Sequence, residues 1–512
     1  MHNLTQLKRH KMRWLAVPLV LAGWYYIWMP LVQMAINIFL SPAIKVGARN
    51  QVVDLRWHAP IPTQINSLKS AINGSGTYGF IFDSSGLPDR VPYGTYNWCN
   101  MPHVRPTEYP KVNDSYVLTY VEVIHRHHKR TPYAANTFPV ESYPWYCDDE
   151  ALFLYGAPLP TQSANQSANT YWKVFNSPAN PLTAKGFQGT CQFPQITRGG
   201  LDDSWQHGQD LYQVYHNLLG FLPEKYDPEL VSLRVTNNVI TSQVASMVIS
   251  GMFGSQQQNF PLLIQPSSID SLEPGYSCPA AKASSSAYGP GSKDTGWNAH
   301  LEAAAGLYAD LDSISGVSPS DEGFHMSLDH YFDNLSARLC HAKPLPCNIS
   351  NPSRCVTQEM ADEVFRLGEY EYSYLYRDAG PRALEYSVAK YGIWIAELAE
   401  NLWNAIVQAR GNGGGMRYRH NVAHDGSISC VLSILQVEEM VWPGMGSEVI
   451  FELYKKREGG KYYVRVLWGG QVLRSSNPSL GVLDMVEVEV LLAYFDGLVG
   501  HGANKVPGLC KL

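Results

Sequence analysis

The chain is poor in charge. Of its 512 residues only 16% are Asp, Glu, Lys or Arg, against about a quarter in ordinary globular domains. The formal net charge is −6, which excludes the dense basic face that a nucleic-acid partner requires. No C-x-x-C pair occurs among the nine cysteines, so a zinc ribbon or a thioredoxin-type redox site is excluded. No internal repeat is visible, which excludes a solenoid or propeller. Hydrophobic residues make up 45% and aromatics 12%. That content is enough to build a core and excludes a disordered chain. Plentiful Pro, Gly and Tyr point to a folded, loop-rich domain of extracellular type.

One long uncharged stretch stands out against this background. From Trp14 to Leu40 the chain reads WLAVPLVLAGWYYIWMPLVQMAINIFL, with Lys8, Arg9, Lys11 and Arg13 before it. A bilayer core takes about 20 apolar residues, whereas a signal-peptide core is typically about 7–15. The expectation is a transmembrane signal anchor over 14–40. The basic residues keep a tail over 1–13 cytoplasmic, giving a single-pass type II membrane protein with a lumenal or extracellular body. Ser41-Pro42-Ala43 offers the alternative of cleavage near residue 43 and secretion. Five sequons agree with a lumenal body and make Asn73, Asn113, Asn165, Asn334 and Asn348 glycosylation candidates. In an oxidising lumen most cysteines pair. The odd count leaves one over, and Cys430, inside the apolar run Ile428 to Leu435, is the candidate.

Residues 41–110 mix Pro, Gly, Ser and aromatics with little periodicity and read as a stem and surface-wrapping loops. The run from Tyr116 to Ile124 predicts a buried strand. Asp202 to Leu222 predicts a helix with an aspartate N-cap, and 230–253 a strand, a turn and a helix. The Ser/Gly/Pro-rich stretch 275–296 predicts an exposed loop. Helical periodicity returns from Thr357 to Tyr376 and from Ser387 to Arg410. Glu448 to Lys456 and Tyr462 to Trp468 predict a hairpin. The order of elements predicts an α/β core over 111–255 and 386–512, with a helical lobe inserted over 256–385.

The predicted strand ends in a basic cluster, His125-Arg-His-His-Lys-Arg-Thr-Pro132. Three chemistries fit it: a metal site, a solvated basic loop, or a phosphate site with a histidine nucleophile. His125 and His127 share a strand face. Arg126, Lys129 and Arg130 count against a cation, which wants neutral donors and acidic surroundings. A second apolar approach, HNVAHDGSISCVLSIL, ends in His424-Asp425 and then turns helical near Ser427. Strand ends that deliver histidine to a loop–helix junction match the ligand-binding edge of α/β sheets, where helix N–H groups meet anions. Taken singly, Asp425 also fits a helix N-cap and Arg234 a surface arginine. His125, His207 and His216 read as structural.

Together these segments are identified as similar to the histidine acid phosphatases, branch 2 of the phosphoglycerate-mutase-like superfamily. Arg126, His127, Arg130 and Pro132 match the R-H-G-x-R-x-P signature, and His424-Asp425 resembles the His-Asp pair. Leu233-Arg-Val-Thr236 stands where the family has R-S-T, and Trp442 to Leu453 resembles the tail of fungal members. The resemblance spans about residue 90 to the end. It implies a mixed-sheet α/β core with an inserted helical cap, and phosphomonoester hydrolysis through a phosphohistidine with an acid pH optimum. It makes His127 the nucleophile and Asp425 the general acid, with Arg126, Arg130, Arg234 and His424 binding phosphate. No metal or cofactor is implied, because arginines supply the positive charge. The substrate class is a small-molecule, lipid or glycan phosphomonoester. Two positions depart from the pattern. His128 replaces the family glycine, so its ring narrows the entry, adds a contact or points away. Ile240 replaces a second arginine. These departures leave open an alternative, a phosphate- or glycan-binding relative with weakened turnover.

Overall fold

The computed structural model describes residues 51–512 apart from 82–90, 140–143, 148–152, 155–169, 255–259, 412–414 and some positions between 173 and 187. The predicted anchor at 14–40 and the sequon at Asn165 lie outside the described residues. Among the described residues no helix is long and apolar enough to cross a membrane.

An eight-stranded mixed sheet forms the centre. Its first strand, β1 (Tyr116–Arg126), is buried throughout from Tyr120 onward. Next in the chain come α1 (Arg198–Tyr212), β2 (Val231–Val235), α2 (Val239–Phe253) and the short β3 (Leu262–Leu263). A run of helices between Pro279 and Asp378 includes α3 (Asp329–Leu339) and α4 (Gln358–Ser373). The chain returns through α5 (Pro381–Arg410), β4 (Tyr418–Ala423) and α6 (Asp425–Ile434). It ends with β5 (Glu448–Lys456), β6 (Tyr462–Trp468), β7 (Gln471–Val472), β8 (Val486–Glu487) and α7 (Val488–Val499). The spatial order is β7-β6-β5-β1-β4-β2-β3, with β8 also on β6. β1, β4, β2 and β3 run parallel, and the β1–β5–β6 side is antiparallel.

Strand alternation divides the core in two. Tyr120 and Ile124 of β1 pack with Ile395, Leu398 and Leu402 of α5 and with Ile428 and Val431 of α6. Val121 and Val123 point the other way, to Leu211 of α1 and Val244 and Val248 of α2. Buried on both faces, β1 carries near-continuous apolar residues, as central parallel strands do. A third cluster joins Phe332 and Leu335 of α3 and Val364 and Phe365 of α4 to Trp98 and Trp442.

Several local expectations need correction. α1 starts at Arg198, not at Asp202, because Thr197 accepts the Gly200 N–H. Gly199-Gly200 does not break the helix. A Cβ at Gly200 would lie 2.0 Å from the Lys129 carbonyl oxygen, so glycine lets α1 abut the loop after β1. The loop expected over 275–296 contains a helix, Pro279–Tyr288. Proline at its first turn is already set to a helical φ, and Cys278 just before it is bonded to Cys510. Disulfides also join Cys99 to Cys340, Cys147 to Cys191 and Cys347 to Cys355, leaving Cys430 free and buried. Asn334 is not an accessible sequon. It is 0% exposed, its Nδ2 donates to the Asn136 carbonyl at 3.0 Å, and its Oδ1 accepts from Arg338 Nε at 3.0 Å. Asn73 and Asn113 are exposed, while Asn348 is half-buried with its Nδ2 bonded to the Ser313 carbonyl at 2.7 Å.

Leu402 sits where α5 meets the sheet, 0% exposed. Leu402→Ala should cost about 2–5 kcal/mol, read as a lower urea midpoint with an unchanged denaturant slope.

Candidate active site

The parallel strands end at one level. Arg126 is paired with Ala423 across β1 and β4, and Val422 with Val235 across β4 and β2. The next residues of β1 and β4, His127 and His424, therefore emerge side by side, with Thr236 of the β2 end one level before them. The His127 N–H continues the ladder to the Ala423 carbonyl at 3.1 Å. The His127 and His424 rings stand 5.4 Å apart, edge to face. Thr236 Oγ1 lies 2.9 Å from His424 Nε2, and Glu273 Oε2 lies 3.3 Å from the same nitrogen.

His127 is 1% exposed. Its Nδ1 faces the His128 carbonyl at 3.0 Å. A carbonyl only accepts, so Nδ1 carries the proton and the Nε2 lone pair is left free. Burial, then the charges of Arg130 and Arg126 and the nearby His424, hold its imidazole well below the ordinary histidine value. This environment favours the neutral ring.

Two arginines flank it. Arg126 Nη1 donates to the Pro443 carbonyl at 2.6 Å, its Nη2 meets Asp425 Oδ2 at 3.0 Å, and its guanidinium lies 4.7 Å over the Trp98 ring. Arg130 Nη1 donates to the Thr131 carbonyl and to Asp333 Oδ1, both at 2.9 Å, and its guanidinium lies 4.2 Å over Tyr133. On both arginines Nε is buried without a partner. Orphaned guanidinium donors beside a neutral imidazole suit a phosphoryl group, whose oxygens would satisfy them.

Asp425 is the first residue of α6, with a quarter of its side chain exposed. Its Oδ1 accepts the Gly426 N–H at 2.8 Å, and its Oδ2 accepts the Trp442 indole N–H at 3.0 Å. Burial pushes this carboxyl up, but Arg126, the indole, the Gly426 N–H and Arg130 outweigh it and hold it below the usual range. Asp425 thus does more than cap the helix, because its outer oxygen faces Arg126.

The structure does not bring Arg234 to this group. Arg234 lies on β2, two residues before Thr236. Its Nη1 donates to Glu397 at 2.7 Å, and its Nη2 donates to Gln265 at 2.7 Å, Ser271 at 2.9 Å and Asp270 at 3.2 Å. With its guanidinium spent on tying β2 to α5 and the 265–271 loop, the clamp position assigned to it falls away, and Thr236 is the β2-end residue that reaches His424. The His128 ring points away from His127 and toward α1, where its Nε2 meets His207 Nδ1 at 3.1 Å. Gly446 makes the space. A Cβ there would lie 2.4 Å from His128 Cε1, and its φ of +71° suits glycine.

The remaining site residues carry no local motif. Asp333, on α3, binds Arg130 and also accepts the Tyr133 N–H and Asn136 Nδ2 at 3.0 and 2.8 Å. Trp98 comes from the segment read as a stem. Trp442 had one signal, its place in the tail that follows the His-Asp pair. It stacks on Tyr372 at 4.0 Å, which fixes the indole against Asp425.

No protein-family model matches the chain. The chain is 23% identical to human (Homo sapiens) lysophosphatidic acid phosphatase type 6 over 388 residues, covering 72% of this chain and 81% of that protein. It is also 23% identical to counting factor 60 of Dictyostelium discoideum, covering 73% and 84%. Among solved structures, the apo phytase of Hafnia alvei has a TM-score of 0.48 at 13% identity, covering 78% of this chain and 100% of that one. The mammalian and amoebal relatives lend nothing to the resemblance of the 442–453 tail to fungal members.

Arg130 is 3% exposed, and Asp333 is its carboxylate partner. Asp333→Ala leaves a buried charge uncompensated and should destabilise by about 3–5 kcal/mol. Asp333→Asn, which keeps the shape, should cost less. Equilibrium denaturation of the two variants checks the order.

Proposed function

We propose that the chain is a histidine acid phosphatase that hydrolyses phosphomonoesters, with His127 the nucleophile and Asp425 the proton donor, a reading supported by its similarity to an acid phosphatase over most of its length. One observation carries the assignment: a buried, neutral imidazole with its Nε2 free, flanked by two arginines whose Nε donors lack partners. In the first step Nε2 attacks phosphorus and the P–O bond to the alcohol breaks. The leaving oxygen takes the Asp425 proton, and phosphohistidine remains. In the second step the Asp425 carboxylate takes a proton from water, which attacks the phosphohistidine and frees phosphate. Arg126 and Arg130 offset charge on the equatorial oxygens. His424, fixed by Thr236, donates a further hydrogen bond once phosphate displaces Glu273.

In the free protein Arg126 and Trp442 keep Asp425 ionised. A bound phosphate dianion competes for Arg126 and adds like charge, both of which favour protonation of Asp425. The His128 ring, turned toward His207, does not obstruct this chemistry, which favours a turning-over enzyme over a binding relative. The stretch 14–40 with its preceding basic residues supports an N-terminal membrane anchor, and the disulfides support a lumenal body. The human relative is named for lysophosphatidic acid. Together with an anchor, that name makes a lipid phosphate the first substrate class to test, ahead of sugar and glycan phosphates.

His127→Ala should abolish p-nitrophenyl phosphate hydrolysis, and Asp425→Asn should lower kcat/KM, which reads the first step alone, by about 10²–10⁴-fold on an alkyl phosphate. Nitrophenol leaves without much help, so the Asp425→Asn loss should be smaller there. Equal losses on both substrates would count against a proton-donor role. Activity should fall as pH rises through the Asp425 titration in the complex, whereas a flat profile from about pH 4 to 8 would contradict the assignment.

A further inference from the structure

Opposite the phosphate side, the end of β1 carries a second group of histidines that the hydrolytic chemistry does not use. Strand alternation turns His125 toward α1, and after the strand breaks His128 returns to that side. His207 comes from α1. All three are 0% exposed, and one ring nitrogen from each lies within 4.8 Å of the others.

The hydrogen bonds around these rings fix which nitrogens are left over. His125 Nδ1 faces the Arg126 carbonyl at 2.8 Å, so it carries the proton. Its Nε2 is buried with no partner. His207 Nε2 faces Glu448 Oε2 at 2.9 Å, so it donates there and its Nδ1 presents a lone pair. That lone pair faces His128 Nε2 at 3.1 Å, while His128 Nδ1 is also buried without a partner. His420, whose Nδ1 meets the Tyr418 hydroxyl at 2.9 Å, adds a third orphan in its Nε2. The His420 ring lies 4.8 Å from that of His125. In the three-histidine cluster the lone pairs of His125 Nε2 and His207 Nδ1 face the same space as His128 Nε2, which becomes a third donor to a cation once its proton is lost.

We propose that His125, His128 and His207 bind a divalent transition-metal ion, Zn²⁺ fitting best, as a structural site beneath the nucleophile loop. The second nitrogens of His125 and His207 are held by a backbone carbonyl and a carboxylate, the arrangement that orients metal-bound histidine. Zn–N bonds of about 2.0–2.1 Å require the rings to close in on one another. The cations of the cluster point elsewhere: Lys129 pairs with Asp203 at 3.1 Å, Arg126 with Asp425 at 3.0 Å and Arg130 with Asp333 at 2.9 Å. Glu448 supplies the nearby negative charge. The site gives His128, in place of the family glycine, a task, with Gly446 as its accommodation. A metal held by residues on both sides of His127 would brace the backbone that positions it.

The test uses the untagged full chain, with metal content measured by plasma mass spectrometry after chelator dialysis and Zn²⁺ re-addition. The wild type should hold about one equivalent, and Zn²⁺ should raise the melting temperature of the chelated protein. Glu448→Gln should weaken binding about 10–100-fold, and His125→Gln and His207→Gln should abolish it. His128→Gly installs the family residue and guards against a variant that fails to fold, and it too should lose the metal. A wild type that holds no metal and melts identically with Zn²⁺ or chelator overturns the proposal. So does metal retained equally by His128→Gly and Glu448→Gln.

Discussion

The in-register parallel pairing of β1 with β4 is the constraint from which the site follows. Arg126 opposite Ala423 makes the next residues, His127 and His424, leave the sheet together. A slip of one residue would exchange the two faces of β1. Arg126 would then point at α1 and His125 at Asp425. The register is held from both sides, because the same strand is also paired antiparallel to β5, His125 opposite Glu448. Apolar burial on both faces fixes it further, since neither face of β1 can be turned to water.

That alternation also separates two kinds of chemistry across one strand. Arg126 and the Asp425 carboxylate lie on the α6 side, and His125, His128 and His207 on the α1 side. His127 sits at the seam, its Nδ1 anchored to the His128 carbonyl, so whatever holds His128 also orients the proposed nucleophile. Each cation of the basic cluster meets a carboxylate from a different element: Asp425 on α6, Asp333 on α3 and Asp203 on α1. Buried charges of this kind are tolerated only when paired. The cluster therefore draws three helices together around the end of β1.

Much of this was legible in the sequence where the information is local. β1, the β5–β6 hairpin and α5 follow from period and punctuation, and Arg126, His127, Arg130, His424 and Asp425 stand in short motifs at strand ends. What stayed hidden depends on packing between distant segments. Asp333 is supplied by α3, about 200 positions beyond Arg130, and Trp98 comes from a stretch with no periodicity. Arg234 aligned with a clamp residue, yet sequence alone does not reveal that Glu397 and Asp270 await it. The helix start at Arg198 stayed hidden because Gly200 serves a close contact with the loop after β1. The fate of His128 turned on Gly446, over 300 residues away in the chain.

The central claim is that His127 carries the phosphoryl group. The most direct measurement is rapid alkaline quench of Asp425→Asn during p-nitrophenyl phosphate turnover, followed by peptide mass spectrometry. Loss of the general base slows hydrolysis of the intermediate, so one phosphoryl group should accumulate on His127. Phosphate on His424, or a nitrophenol burst with no modified histidine, would contradict the account.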